Sequence, residues 1–279
     1  MTEPARTLDA PLLLNRYRPR VLLARGGSAQ VYQGVDETLG RQVAIKVFSA
    51  GVDVERYREE LRVLAGLSHH GVVSIVDAGI DLSTPSDPRP FLVMELVRGT
   101  TIRDTLRQRP FTVKQVGEIG YEVAEALDYV HSQGVIHRDV SPANIMLTDY
   151  GTVSSRPRAR LTDFGIAIDV AFAPAQAAAI TGTVAYLSPE QVRNVPLNSA
   201  TDIYSLGLVM LECFTAEVAF PGPDVESALA RIDVDPAVPK EIPKEWRRLI
   251  QRMTDQQPLE RPTAAEVADE VRRILRKTH

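Results

Sequence analysis

The most constraining feature of the sequence is that strand-like and helix-like patterns occupy different parts of it. Five short β-branched or apolar runs, typical of strands, lie within the first hundred residues: 17–23, 30–36, 42–48, 72–78 and 91–96. Beyond Gly99, apolar residues recur at helical spacing, first in a stripe from Val113 to Val130 that Gly134 closes. This division predicts an α+β chain with a strand-rich lobe and a helical lobe.

The same patterns give the lobe boundaries and the remaining helices. A stripe from Asp53 to Leu67 predicts one helix inside the strand-rich lobe, and further helical patterns cover 200–214, 246–253 and 264–275. Residues 1–15 show no periodicity and are predicted to form a flexible N-terminal arm. We therefore expect an N-lobe over 16–96, a C-lobe over 97–279 and a hinge near 95–99.

Charge and cysteine content exclude several classes of protein. With 32 basic and 36 acidic residues the net charge is −4, which argues against nucleic-acid binding through bulk charge. The one cysteine, Cys213, cannot form an internal disulfide, which fits a reducing compartment. No apolar run approaches the roughly 18 residues of a membrane-spanning helix. We expect a cytoplasmic chain without a membrane span, and a membrane or sensor segment beyond His279 stays compatible with the sequence.

Two features of the strand-rich lobe point to phosphate binding. Gly26 and Gly27 lie between two predicted strands, where small residues let backbone N–H groups approach a phosphate. Taken alone, this segment fits an ordinary glycine-containing hairpin better. Lys46, in Val43-Ala44-Ile45-Lys46, lies inside the apolar run of the third predicted strand. A lysine in such a run requires a partner, and Glu60 on the predicted helix is the candidate.

A series of short motifs follows in order along the chain. Each is common by chance, but the ordered set is not: His137-Arg138-Asp139 with Asn144, Asp163-Phe164-Gly165, Ser188-Pro189-Glu190, Asp202–Gly207 and Arg261-Pro262-Thr263. The set resembles the eukaryotic-like protein kinases, above all the bacterial Ser/Thr kinases of Hanks type, from about Tyr17 to Leu275. The resemblance implies the two-lobed protein kinase fold. In that fold the small lobe has a five-stranded antiparallel sheet and one helix, the large lobe is mainly helical, and residues 163–190 form the activation segment.

The resemblance also implies roles for individual residues. Lys46, held by Glu60, contacts the α- and β-phosphates of ATP, and Asp139 accepts or orients the substrate hydroxyl. Asn144 and Asp163 hold Mg²⁺, with Mn²⁺ as an alternative. Further ATP contacts are implied for Leu23, Ala24, Gly26, Gly27, Ser28, Ala29, Val31, Ala44, Met94, Glu95, Val97 and Met146.

Two further residues are implied to be structural. His137 is expected to be a core histidine and not a catalytic base, because the family uses the aspartate of this motif for that role. Glu190 is expected to pair with Arg261 in a buried bridge.

The sequence departs from the family pattern at the phosphate-binding positions. Ala24 and Ala29 stand where the glycine loop carries its first and third glycines, and Ala29 would strain a positive φ there. Ser141 stands where Ser/Thr kinases carry a lysine that meets the γ-phosphate. Serine can donate a hydrogen bond but brings no charge, and the loss of one such donor can cost roughly 100- to 1,000-fold in rate. We expect weaker ATP binding, and Ser141 is a candidate catalytic residue.

The segment that regulates such kinases also departs from the pattern. Residues 163–180 contain no Ser, Thr or Tyr, so the best candidate for phosphorylation is Thr181. In relatives, a phosphate in this stretch pairs with the residue that corresponds to Arg138. Upstream, the interval between Asn144 and Asp163 is long and contains Arg156, Arg158 and Arg160. These arginines predict a solvated turn in preference to a basic docking hairpin.

The resemblance leads to one principal function and two alternatives. The principal function is transfer of the ATP γ-phosphate to Ser or Thr hydroxyls of protein substrates, the chain itself included. The departures at Ala24, Ala29 and Ser141 motivate the first alternative, a pseudokinase that binds nucleotide or acts as a scaffold with little turnover. The second is a small-molecule phosphotransferase, which the Ser188-Pro189-Glu190 and Asp202–Gly207 motifs disfavour. Some relatives form homodimers through the small lobe, and the resemblance keeps that arrangement open.

Overall fold

The chain forms two compact units. The computed structural model describes residues 12–26, 29–49, 61, 63–84, 88–149, 151, 156–164 and 184–277. One unit comprises Met1–Ser68 and Val73–Val97, and the other comprises His69–Val72 and Arg98–His279. The division after Val97 falls within the predicted hinge.

The first unit is built on a five-stranded antiparallel sheet, as predicted. Its strands are β1 (Tyr17–Arg25), β2 (Ala29–Asp36), β3 (Arg41–Phe48), β4 (Ile75–Asp81) and β5 (Arg89–Glu95). They are arranged in the order β1-β2-β3-β5-β4. Strand β4 begins three residues later than the hydrophobic run predicts, because Val72 forms a bridge with Leu161 in the second unit. Of the helix predicted over 53–67, residues 61 and 63–65 are described as helical.

Alternation along the strands gives this sheet two different faces. Val43, Ile45, Phe91 and Val93 point to one face and form a buried cluster with Tyr17. Both neighbouring strands approach Gly34 closely, since a Cβ there would lie 2.5 Å from Ile45 Cδ1 of β3 and 2.7 Å from the Arg18 backbone oxygen of β1. The other face therefore carries the intervening residues of β3 and β5.

The segment just before β1 packs against the sheet, contrary to the flexible arm predicted for residues 1–15. Leu13 is buried in the core cluster and forms an isolated bridge with Tyr17. Arg16 donates two 2.8 Å hydrogen bonds to the buried carboxylate of Asp36. Tyr17 donates from its hydroxyl to Asp77 at 2.7 Å. An apolar contact and an ion pair thus fix this segment from residue 13 onward, while residues 1–11 lie outside the described part of the chain.

The second unit combines a small sheet with helices. The sheet contains β6 (Gly99–Thr101), β7 (Ile145–Thr148) and β8 (Arg158–Leu161) in that order. The helices among the described residues are α1 (Ile102–Leu106), α2 (Val113–Ser132), α3 (Pro189–Val192), α4 (Ala200–Thr215), α5 (Asp224–Asp233), α6 (Lys244–Met253) and α7 (Ala264–Lys277). None of these helices is both long and apolar enough to cross a membrane.

Helices α2 and α4 form the centre of the second unit. Helix α2 begins with a capping box in which Thr112 and Gln115 bind each other's backbone N–H groups. It lies so close to α6 and α7 that a Cβ at Gly117 would come within 2.8 Å of the Trp246 ring. Helix α4 is buried along almost its whole length, as its nearly all-round apolar pattern predicts.

Candidate active site

Lys46 lies on the face of the first sheet that is opposite the core cluster. On β3 it is paired with Val31 of β2 and Leu92 of β5, and Ala44 two residues earlier is paired with Met94. Because alternate residues share a face, these residues form one apolar surface from which the Lys46 ammonium group projects. The ammonium nitrogen lies 5.5 Å from the centroid of the Phe48 ring. An apolar surface beside one fixed cation suits a planar base linked to phosphates.

The glycine-loop hairpin does not show the strain predicted for Ala29. Ala29 is the first residue of β2 and is not among the described residues with positive φ. The Gly26 N–H donates to the Ala29 carbonyl at 2.9 Å, and a Cβ at Gly26 would make only an ordinary 3.5 Å contact. Ala24 is paired with Val31, and Leu23 is exposed. The described ends of the hairpin therefore accommodate alanine, while Gly27 and Ser28 lie outside the described residues.

Of the two hinge residues predicted to bind adenine through the backbone, Glu95 already uses its N–H within the first unit. The Glu95 N–H donates to the Ser74 carbonyl at 3.0 Å, so this N–H is not a free donor. The Glu95 carboxylate accepts the Ser74 N–H at 2.9 Å. Val97 is half-buried at the end of the first unit.

In the second unit, Asp202 of α4 holds the loop that carries the His-Arg-Asp motif. Its carboxylate accepts the backbone N–H groups of His137 and Arg138, each at 2.8 Å. The same carboxylate lies 2.8 Å from His131 Nε2 at the end of α2. One buried aspartate therefore joins two helices to the loop, and Arg138 keeps a left-handed φ of 66° within this arrangement.

His137 is a core residue, as predicted. Its side chain is fully buried, and Nδ1 accepts the Asp139 N–H at 3.3 Å. Nε2 then carries the proton and donates to the Thr162 carbonyl at 3.0 Å. The ring packs against Phe164 with centroids 4.6 Å apart. Both ring nitrogens thus hold backbone groups, which is a structural role for His137.

Asn144 links Asp139, the predicted catalytic residue, to the segment that carries Asp163, the second predicted metal ligand. Its Nδ2 donates to the Asp139 carbonyl at 3.0 Å. The backbone carbonyl of Asn144 accepts the N–H of Thr162 at 2.9 Å. The next residue, Asp163, has a φ of 53°. Because the amide nitrogen serves the loop, the amide oxygen is the atom left for a cation. One amide oxygen and one carboxylate suit Mg²⁺, which takes few protein ligands and shares the phosphate oxygens of its substrate.

Ser141 is enclosed by protein, whereas a lysine that meets a phosphate must reach out of the loop. The residue is fully buried, and its hydroxyl has no hydrogen-bond partner among the described residues. A buried hydroxyl without a partner costs about 1–3 kcal/mol. The next residue, Pro142, accepts the Arg103 N–H at 2.9 Å, so α1 supports this part of the loop.

The end of the activation segment is tied to the body of the second unit by a buried ion pair. Arg261 donates to both carboxylate oxygens of Glu190, at 2.6 and 3.0 Å, which confirms the predicted bridge. Burial acts to raise the pKa of Glu190. The hydrogen bonds and charge of Arg261 outweigh that effect, so the pKa lies below its ordinary value. The residues between Gly165 and Thr183, including Thr181, lie outside the described part of the chain.

The arginines of the long interval after Asn144 have partners within the second unit, and Arg158 and Arg160 lie on β8, which pairs with β7. Arg156 and Arg158 each place a guanidinium nitrogen 2.9 Å from the buried carboxylate of Glu122 on α2. Arg160 is buried and donates to the Val72 carbonyl at 2.8 Å. The side chains of Arg156 and Arg158 stay 39% and 44% exposed, and residues 150 and 152–155 of the predicted turn lie outside the described part of the chain.

Sequence reasoning also missed Gln191 on α3. Its amide nitrogen donates to the Arg138 carbonyl at 2.8 Å, next to Asp139. The only signal in the sequence is the Ser188-x-x-Gln191 pattern of a capping box, which predicts a helix start and no contact with the loop. Glu60, which was expected to hold Lys46, lies outside the described residues.

Comparison with known proteins agrees with this geometry. The sequence matches the protein kinase domain over residues 17–271, and the chain belongs to this family. It is similar to serine/threonine-protein kinase PknB of Mycobacterium tuberculosis (strain ATCC 25618 / H37Rv), with 37% identity over 249 residues. That similarity covers 86% of this chain and 38% of PknB. Serine/threonine-protein kinase PknL of Mycobacterium bovis is 36% identical over 266 residues, or 91% of this chain and 64% of PknL. The chain thus spans less than two thirds of either relative.

Proposed function

We propose that this chain is a catalytic domain that transfers the γ-phosphate of ATP to Ser or Thr hydroxyls of proteins. The observation that carries the proposal is the loop around Asp139. The Asn144 side chain donates to the Asp139 carbonyl, and the Asn144 backbone carbonyl accepts the N–H of Thr162, the residue before Asp163. Phosphoryl transfer needs such a group for the hydroxyl close to the metal ligands, because catalysis consists mostly of positioning and of neutralising phosphate charge. The family membership and the names of the relatives support the same reaction.

We assign the following roles within this proposal. The apolar face formed by Val31, Ala44 and Met94 receives adenine, and Lys46 contacts the phosphates. Asp139 orients the attacking hydroxyl and accepts its proton as the new bond to phosphorus forms.

The metal would be held by Asn144 and Asp163. When bound, Mg²⁺ neutralises the charge that develops on the phosphates, and Mn²⁺ meets the same ligand requirement. The proposal includes three further points. The domain signals by phosphorylating protein substrates, it phosphorylates itself, and it is located in the cytoplasm.

Intact-mass measurement after incubation with Mg-ATP and a generic basic protein tests the reaction. The unaltered chain should add phosphate, and Asp139→Asn should add none, since it preserves the size of the side chain but cannot accept the proton. Phosphate added equally by both proteins would refute the role of Asp139. No phosphate from either protein, with ATP still raising the melting temperature, would support the pseudokinase alternative.

A further inference from the structure

Gln191 is a buried side chain to which the kinase motifs give no role. It is the third residue of α3 and is 6% exposed. Its Oε1 accepts the Ser188 N–H at 2.9 Å, while the Ser188 hydroxyl accepts the Gln191 N–H at 3.3 Å. These two bonds form a capping box and use only the oxygen of the side-chain amide.

The nitrogen of that amide serves a different part of the fold. Nε2 donates to the carbonyl of Arg138 at 2.8 Å, across 53 residues of sequence. This carbonyl belongs to the peptide group whose N–H is that of Asp139. The same N–H donates to His137 Nδ1 at 3.3 Å. Both polar groups of the peptide bond between Arg138 and Asp139 are therefore held by side chains.

The backbone on either side of this peptide is also fixed. Arg138 has a φ of 66°, a conformation that a residue with a Cβ keeps only when its surroundings impose it. Asp202 binds the Arg138 N–H at 2.8 Å, and Asn144 binds the Asp139 carbonyl at 3.0 Å. Gln191 adds the bond to the Arg138 carbonyl. Loss of that bond removes one of the two side-chain hydrogen bonds that hold this peptide, directly beside the strained residue and Asp139.

We propose that Gln191 is a positioning residue for phosphoryl transfer: its amide fixes the Arg138–Asp139 peptide and thereby the direction in which Asp139 faces the substrate hydroxyl. The inference rests on the proposed function and deepens it. Gln191 follows directly on the activation segment, in the helix anchored by Glu190. The contact therefore couples that helix to Asp139 through a neutral hydrogen bond that requires no phosphate on the segment.

The chain offers a matched control for variants of Gln191. Gln115 has the same position in the capping box of α2, where its Oε1 accepts the Thr112 N–H at 3.0 Å. Gln→Glu at either site keeps the acceptor of the capping box and removes the amide donor. Gln→Met removes both groups while it keeps the length of the side chain. The two sites thus receive identical changes, and only those at position 191 remove the bond to Arg138.

Steady-state kinetics of the four variants, together with melting temperatures, provide the first test. Gln191→Glu and Gln191→Met should both lower kcat by about 10- to 100-fold with little change in the KM for ATP, because a small displacement of a catalytic group has an effect of this size. Gln115→Glu and Gln115→Met should keep kcat within about twofold of the unaltered chain, since the lost bonds are those of a surface cap. Equal kcat values at the two sites would overturn the inference and leave the proposed function intact.

Hydrogen–deuterium exchange of the segment 137–144 provides a readout that does not depend on activity. Exchange in this segment should be faster in both Gln191 variants than in the Gln115 variants of similar melting temperature. If the unaltered chain transfers no phosphate, the proposed function fails and exchange then decides the contact. Faster exchange in the Gln191 variants alone supports the contact, and equal exchange at both sites overturns it.

Discussion

Replacing Glu190 with glutamine tests how strongly the buried ion pair anchors the end of the activation segment. The variant leaves the Arg261 side chain, which is fully buried, without its counter-charge. Removing one partner of such a pair costs about 3–5 kcal/mol. At about 2.1 cal/mol/K per residue, 279 residues have an unfolding entropy of about 0.6 kcal/mol/K, so the melting temperature should fall by about 5–9 °C.

Two controls make this prediction specific to the ion pair. The double variant Glu190→Met with Arg261→Met should recover most of the loss, because an apolar pair of similar volume removes the uncompensated charge. The pKa of Glu190 is lowered in the folded chain, so its stabilising effect is present above the ordinary value of 4.5 and is lost as the pH falls further. The difference between Glu190→Gln and the unaltered chain in scanning calorimetry should therefore shrink from pH 7 to pH 4. A deficit of under 1 °C at pH 7, or one that does not change with pH, would refute the reasoning.

Three further predictions concern other buried groups. Ser141→Lys should raise kcat by about 100-fold, because it supplies the positive charge that the serine lacks, and an unchanged kcat in a folded variant would contradict this. Arg231 is fully buried and donates to the Leu187 carbonyl at 2.8 Å. Arg231→Ala should therefore lower the free energy of unfolding by about 3 kcal/mol or more, measured in urea, whereas Arg231→Lys should lose less. Hydrogen bonds from Arg16 hold the pKa of Asp36 well below its usual range. Asp36→Asn should thus lower the melting temperature at pH 7, and this deficit should diminish as the pH falls below the ordinary pKa of 3.8. A deficit that is the same at pH 7 and below pH 3.8 would count against the ion pair of Arg16 and Asp36.

The larger elements could be predicted from the sequence because each carries many residues of one periodicity. Helix α2 spans Val113–Ser132 within the predicted stripe, and β3 spans Arg41–Phe48 around the predicted run. The strands β6, β7 and β8 contain three or four residues each, too few for alternation to be detected. Short strands of this kind are recognised only when their partners are known.

The site was predictable where a motif fixes local geometry and was missed where two distant segments meet. His137 and Asn144 lie within one loop, and the kinase motif that the sequence resembles implied their relation to Asp139. The partner of Gln191 lies 53 residues away, and nothing local indicates it. The pairing of Arg156 and Arg158 with Glu122 was missed for the same reason, because Glu122 lies within the apolar stripe of α2.

The anchored segment before β1 has a practical consequence for domain boundaries. Similarity to the kinase family begins at residue 17, whereas among the described residues Leu13 already packs into the first unit. A truncation to Tyr17 would remove the Leu13 side chain from the core cluster and strip the buried Asp36 carboxylate of its Arg16 partner. Such a truncated protein would expose apolar surface on the sheet and aggregate on expression. A protein made for study should therefore retain this leucine and this arginine, which the family similarity does not include.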